Sequence, residues 1–110
     1  MLNRSSVIVR PKQPFLDWAT SYDGSGITSQ DVGHEQTVYL IPEYLNDLDA
    51  HQVLKRVYAT IFEMELEGWC LDDEKWPSIR TLGVFLEWFT VEFHSMVIDL
   101  SGDPLVDDYA

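Results

Sequence analysis

The chain has 110 residues, of which 45% are apolar and 13% aromatic, and a single cysteine. That is the size of one domain, with enough apolar side chains to build a core without disulfides. Seven basic against nineteen acidic residues give a formal charge of −12, which argues against nucleic acid or an anionic membrane as the main partner and leaves open a basic partner, a cation or simple solubility.

Cys70 stands alone, so an intrachain disulfide, a Cys-x-x-Cys redox motif and a paired-thiol metal site are all excluded, and a reducing compartment is favoured. The apolar run Val7-Ile8-Val9 before Arg10 is too short for a signal-peptide core, and no stretch reaches the length of a membrane span. The expectation is one cytoplasmic domain over residues 1–110.

Val7-Ile8-Val9 is β-branched and is followed by Arg10-Pro11, which predicts a short first strand whose ladder Pro11 cannot continue. Pro14 suits the first turn of a helix, and Phe15, Leu16, Trp18 and Ala19 give that short helix an apolar face. The stretch RPKQPFLDW therefore reads as a strand-to-helix corner. Residues 20–36 are rich in Gly, Ser, Thr, Asp and Gln and read as a flexible connection. Val38-Tyr39-Leu40-Ile41, closed by Pro42, predicts a second strand; its pairing with the first is open between parallel and antiparallel.

A long helix is predicted from Asp49, as cap, to the stop signal at Gly68. Gln52 would complete a capping box, and Leu48 would staple against Val53. Ala50, Val53, Leu54, Val57, Tyr58, Ile61 and Met64 share its inward face, with Gln52, Arg56, Glu63 and Glu67 opposite. Residues 69–81 read as a turn-rich connection with room for one helical turn. A last, central helix is predicted over Thr81–Leu100, with one apolar stripe through Phe85, Phe89 and Phe93 and a second through Val84, Trp88, Val91 and Ile98. The tail after Leu100 is acidic and reads as frayed. The expected class is α+β: two short strands packed with one short and two long helices.

Three elements, RPKQPFLDW, Trp76-Pro77 and FLEWF with FHSMVIDL between Phe85 and Leu100, together resemble a family of small acidic uncharacterised bacterial proteins. The resemblance spans most of the chain and implies a bacterial, cytosolic, single-domain protein. It implies no cofactor or catalytic residue.

Motifs for chemistry are incomplete. His34-Glu35-Gln36-Thr37-Val38 begins like a zinc-protease signature, but Val38 stands where the second histidine is needed. A calcium loop begun at Asp23 would put Thr28 at the required glycine and His34 at the closing glutamate. Glu63 and Glu67 lie one helical turn apart on a polar face. Glu87, Thr90 and His94 share one side of the predicted last helix, where a carboxylate could orient an imidazole, but no nucleophile joins them. Acidic neighbours Asp72-Asp73-Glu74 disfavour a Cys70 thiolate.

Residues 1–16 carry three cations and no acid, and the remainder carries four cations and nineteen acids, so +3 and −15 make up the total. Arg10 and Lys12 could bind an anion at the following helix N-terminus, or offset the acidic body. The leading functional expectation is a non-enzymatic interaction or regulatory protein that presents an acidic surface, including Glu63 and Glu67, to a basic protein. Trp88, Val91 and Ile98 on the last helix are expected first to pack on the strands or the first helix, with a homodimer seam or a hydrophobic partner site as the alternative. The alternative is a small metal-dependent hydrolase using His34, His94 and nearby carboxylates.

Overall fold

The computed structural model describes residues 2–22 and 36–106, without the side chain of Tyr22. In chain order the elements are β1 (Ser5–Pro11), α1 (Gln13–Tyr22), β2 (Thr37–Ile41), α2 (Asp47–Glu67), a 3-10 turn at Asp73–Lys75, α3 (Leu82–Trp88) and β3 (Phe89–His94). The class is α+β, as expected. Both strand pairings are antiparallel and the sheet order is β2-β1-β3, so β1 with its Val7-Ile8-Val9 run occupies the centre. Pro11 is the last paired residue of β1, where a missing N–H interrupts nothing further.

Side-chain alternation divides the sheet into two faces. Val7 and Val9 are fully buried on the inner face, beside Tyr39 and Ile41 of β2 and Phe89, Val91 and Phe93 of β3. Ile8 and Arg10 lie on the outer face, between Val38 and Leu40 on one side and Thr90, Glu92 and His94 on the other. Helix α2 crosses the inner face. Near its start, His51 meets Phe93 of β3 edge-on at 5.8 Å; at its end, Glu65 reaches Tyr39 of β2. The core is finished by an aromatic cluster in which Phe15, Phe62, Phe85 and Phe89 are all buried.

The start of α2 differs from the expected cap. Asn46 is the capping residue, its Oδ1 accepting from the Asp49 N–H at 2.9 Å, and the Asp49 carboxylate accepts in turn from the Leu45 N–H at 2.9 Å. Asp49 thus holds the far end of a reciprocal box displaced three residues upstream, and its charge and that of Asp47 lie in the first turn, where the helix dipole favours them. Asn46→Ala is expected to cost about 1 kcal/mol of unfolding free energy in urea titrations.

The largest correction concerns the last helix. Residues 81–100 do not form one helix: α3 has seven residues and the chain becomes β3 at Phe89. Among the described residues the expected two strands are therefore three, and only α2, with 21 residues, is a long helix. The physical reason lies in Phe85, Phe89 and Phe93. A spacing of four returns to the same side of a helix and also of a strand, so it cannot separate the two periods. Phe-Thr-Val-Glu-Phe-His alternates apolar and polar, which is the strand period, and each of its apolar members faces inward.

The junction is held by Lys12, whose backbone N–H donates to the Trp88 carbonyl at 2.7 Å while its Nζ donates to the Leu86 carbonyl at 2.8 Å. Two carbonyls that α3 would leave open are satisfied there, where a cation also suits the helix dipole. Beyond β3 the chain has no regular structure through Val106. The backbone N–H of Leu2 donates to the Val97 carbonyl at 2.8 Å and ties that segment to the approach of β1.

Candidate functional site

Helix α2 ends against its own dipole. Glu63, Glu65 and Glu67 occupy its last five positions and no basic residue lies in the last turn, although the C-terminal end of a helix favours cations. Asp72, Asp73 and Glu74 follow within one short turn, so six carboxylates fall between residues 63 and 74. Among the described residues none forms an ion pair with Glu63, Glu67, Asp72, Asp73 or Glu74. Glu63 and Glu67 are both exposed at this acidic end.

Beside this acidic end lies a cleft of about 430 Å³ between α2 and the edge strand β2. Met64, Glu65, Gly68 and Trp69 line it from the helix side, Tyr39 from β2, and Phe15 from α1. Among the described residues, no basic side chain lines it. Tyr39 sits on the inner face of its strand, and its hydroxyl donates to the Glu65 carboxylate while accepting from Thr37. Burial, followed by the nearby Glu65 charge, pushes the phenol well above its ordinary range. Tyr39 therefore stays protonated and donates to that carboxylate. The ring of Trp69, partly buried against the core, adds an aromatic wall.

The other expected site residues are dispersed. Trp88, Val91 and Ile98 do not form a stripe, because they belong to a helix, a strand and an irregular segment in turn. Trp88 is half-buried against Phe15, Trp18 and Phe62, with ring centroids 6.2, 6.1 and 5.7 Å away. Val91 packs on the core from β3, and Ile98 is 59% exposed. The argument for a dimer seam along the last helix loses its helix.

Arg10 points its guanidinium at Glu92 across the strand pair, Nη2 to Oε2 at 3.5 Å, and Lys12 holds the α3 carbonyl described above. His94 meets the same Glu92 oxygen at 2.7 Å. The hydrogen bond from His94, with the Arg10 charge next, holds the Glu92 carboxyl below its ordinary value. This exposed row replaces the expected grouping of Glu87, Thr90 and His94, since Thr90, Glu92 and His94 share the outer face only in a strand.

His34 and the Asp23 loop lie outside the described residues, and among those described no three His, Cys, Asp or Glu side chains are grouped as a metal would need. Cys70 is partly buried, with its Sγ 3.7 Å from the Asp72 carbonyl. Among the described residues, no helix is long and apolar enough to cross a membrane.

The cleft went unread in the sequence because its described walls come from four segments between Pro11 and Trp69, with no local pattern linking them. Glu65 carried the one available signal: it stands between the two surface glutamates, on the side of the helix that turns toward the sheet. No family model, curated protein or solved structure matches the chain, and the site is defined by its own geometry.

Proposed function

We propose that this protein is a non-enzymatic interaction module that presents the acidic end of α2 to a basic protein partner. The supporting observation is the concentration of six carboxylates between residues 63 and 74 at the negative end of a helix dipole. That arrangement opposes stability, because like charges and the dipole all carry the same sign. A cationic partner relieves it. Negative charge gathered on one side of the molecule also speeds encounter with a positive surface and rejects negative ones.

The test uses fluorescently labelled peptides of arginine and serine, with glutamate and serine peptides as the control, and the full chain. The basic peptide is expected to bind, and the affinity to fall steeply between about 50 mM and about 300 mM salt as screening shortens the reach of the charges. Glu63→Lys with Glu67→Lys is expected to weaken that binding about tenfold or more. The same pair of substitutions is expected to raise unfolding stability by roughly a few tenths of a kcal/mol each, because lysine suits the helix end. Binding that is indifferent to both salt and charge reversal would remove this reading.

A further inference from the structure

The ladder between β1 and β3 decides where the backbone of β2 points. Pro11 stands opposite Phe89, and one step further the Lys12 N–H donates to the Trp88 carbonyl, so the even-numbered residues of β1 turn their backbone groups toward β3. The odd-numbered ones, Ser5, Val7 and Val9, turn theirs toward Ile41, Tyr39 and Thr37 of β2. Val38 and Leu40 therefore direct N–H and C=O away from β1. Among the described residues no other strand pairs with β2, so these groups form an edge to which a further strand can be added.

The side chains beside that edge are apolar on both faces of the sheet. On the outer face Val38 is 60% and Leu40 48% exposed, with Ile8 opposite Val38. On the inner side a groove of about 240 Å³ lies between β2 and α2, lined by Tyr39 and Ile41 from the strand and by Val57, Ile61 and Met64 from the helix. Thr60 also lines it, and Glu63 and Glu67 follow along the same side of α2, about one and two helical turns on. Arg56, one turn before Thr60, starts that row, so the row is negative at the end of α2 that lies beside Tyr39.

We propose that an extended segment of the basic partner adds to β2 as a fourth strand, its main chain bonded to Val38 and Leu40. Its apolar side chains lie beside Val38 and Leu40 on the outer face. Its cationic side chains lie over the groove, where their apolar stems cover Val57 and Met64 while the charged heads reach Glu63 and Glu67. The assignment rests on the proposed function and adds to it the way the partner is held. The acidic turn attracts any polycation; an added strand takes its affinity from main-chain bonds and its selectivity from alternate side chains, which here means apolar residues alternating with lysine or arginine. A second copy of the chain is the poorer occupant, since each copy carries −12 and would bring the same acidic helix to the seam.

Two peptides of equal length and charge, one alternating lysine with valine and the other lysine with serine, are titrated against the full chain. The valine peptide is expected to bind about tenfold more tightly. At saturation, residue-resolved amide exchange should slow about tenfold or more at Val38 and Leu40 and stay unchanged at Val91 on the opposite edge strand. Val38→Pro removes an edge-facing N–H, a place where a strand tolerates proline, and should bring the valine peptide down to the level of the serine peptide; Val38→Thr, which keeps the amide, should retain most of the preference. Circular dichroism melts confirm that both variants fold, and the exchange result stands without them. Equal binding of the two peptides, unchanged exchange at Val38 and Leu40, or a preference that survives Val38→Pro overturns strand addition, while the acidic-surface reading stands on its salt and charge-reversal results. Slow exchange at both amides in the free chain, with a dimer mass by light scattering, overturns it in favour of a second copy. If neither peptide binds at low salt, both readings fall together.

Discussion

Phe62→Ala is expected to remove about 3–5 kcal/mol of unfolding free energy, the range found for deleting a fully buried aromatic side chain. Phe62 is completely buried where α2 meets the turn from α3 into β3, and its ring lies 5.7 Å from Phe85, 5.7 Å from Trp88 and 5.6 Å from Phe89. These neighbours come from a short helix and the strand that continues it, so neither can follow the retreating surface without disturbing the other or the sheet pairing to β1. The cavity stays open, and the lost contacts add to the lost transfer energy. Domains of this size are stable by about 5–15 kcal/mol, so the substitution takes a large share of the total.

In urea, the midpoint should fall by about 2 M with little change in slope, followed through tryptophan fluorescence. Glu63→Ala, one position along the same helix but exposed, should move it hardly at all. A Phe62→Ala loss below about 1 kcal/mol would mean the aromatic cluster is not packed as described.

The contrast between those neighbouring positions also marks what the sequence could and could not disclose. The inward face of α2 was legible because Ala50, Val53, Leu54 and Ile61 repeat at helical spacing, and all four are buried. The strand-to-helix corner was legible because Pro11 and Pro14 punctuate it locally, and β1 does give way to α1 there. Residues 89–94 were misread because the four-residue interval linking Phe85, Phe89 and Phe93 satisfies two periods at once. The tie is broken by Val91, which is two residues from Phe89 and from Phe93 and faces inward with them.

The acidic turn was half legible. Glu63 and Glu67 announced an exposed acidic face by their spacing, whereas Glu65 gains its meaning only from Tyr39, twenty-six positions earlier on a strand that the sheet brings alongside. Local chemistry writes helices and turns into a sequence; the cleft depends on how four separate segments are stacked. The antiparallel pairing that places β2 beside the end of α2 was itself undecided by pattern, because strand-helix-strand order permits either direction.

Trp88→Glu distinguishes most sharply between the two accounts of the C-terminal third. Were residues 81–100 a helix with an external second stripe, a carboxylate at position 88 would split an oligomer and leave each chain folded. In the structure Trp88 closes the end of α3 over Phe15, Trp18 and Phe62. Glutamate there gives up the aromatic contacts and sets a charge against three rings. The expected result is a loss of about 3 kcal/mol or more in unfolding free energy, with no accompanying change in mass by light scattering.

Trp88→Phe, which keeps an aromatic ring in place, should cost distinctly less than the glutamate. The test also reaches the backbone. Lys12 bonds to the carbonyls of Trp88 and Leu86, so loosening the indole loosens the point where helix becomes strand, and amide exchange should rise in β3 before it rises in β2. A dimer that dissociates while Trp88→Glu retains its full stability would restore the external stripe and refute the helix-to-strand junction together with the packing built around it.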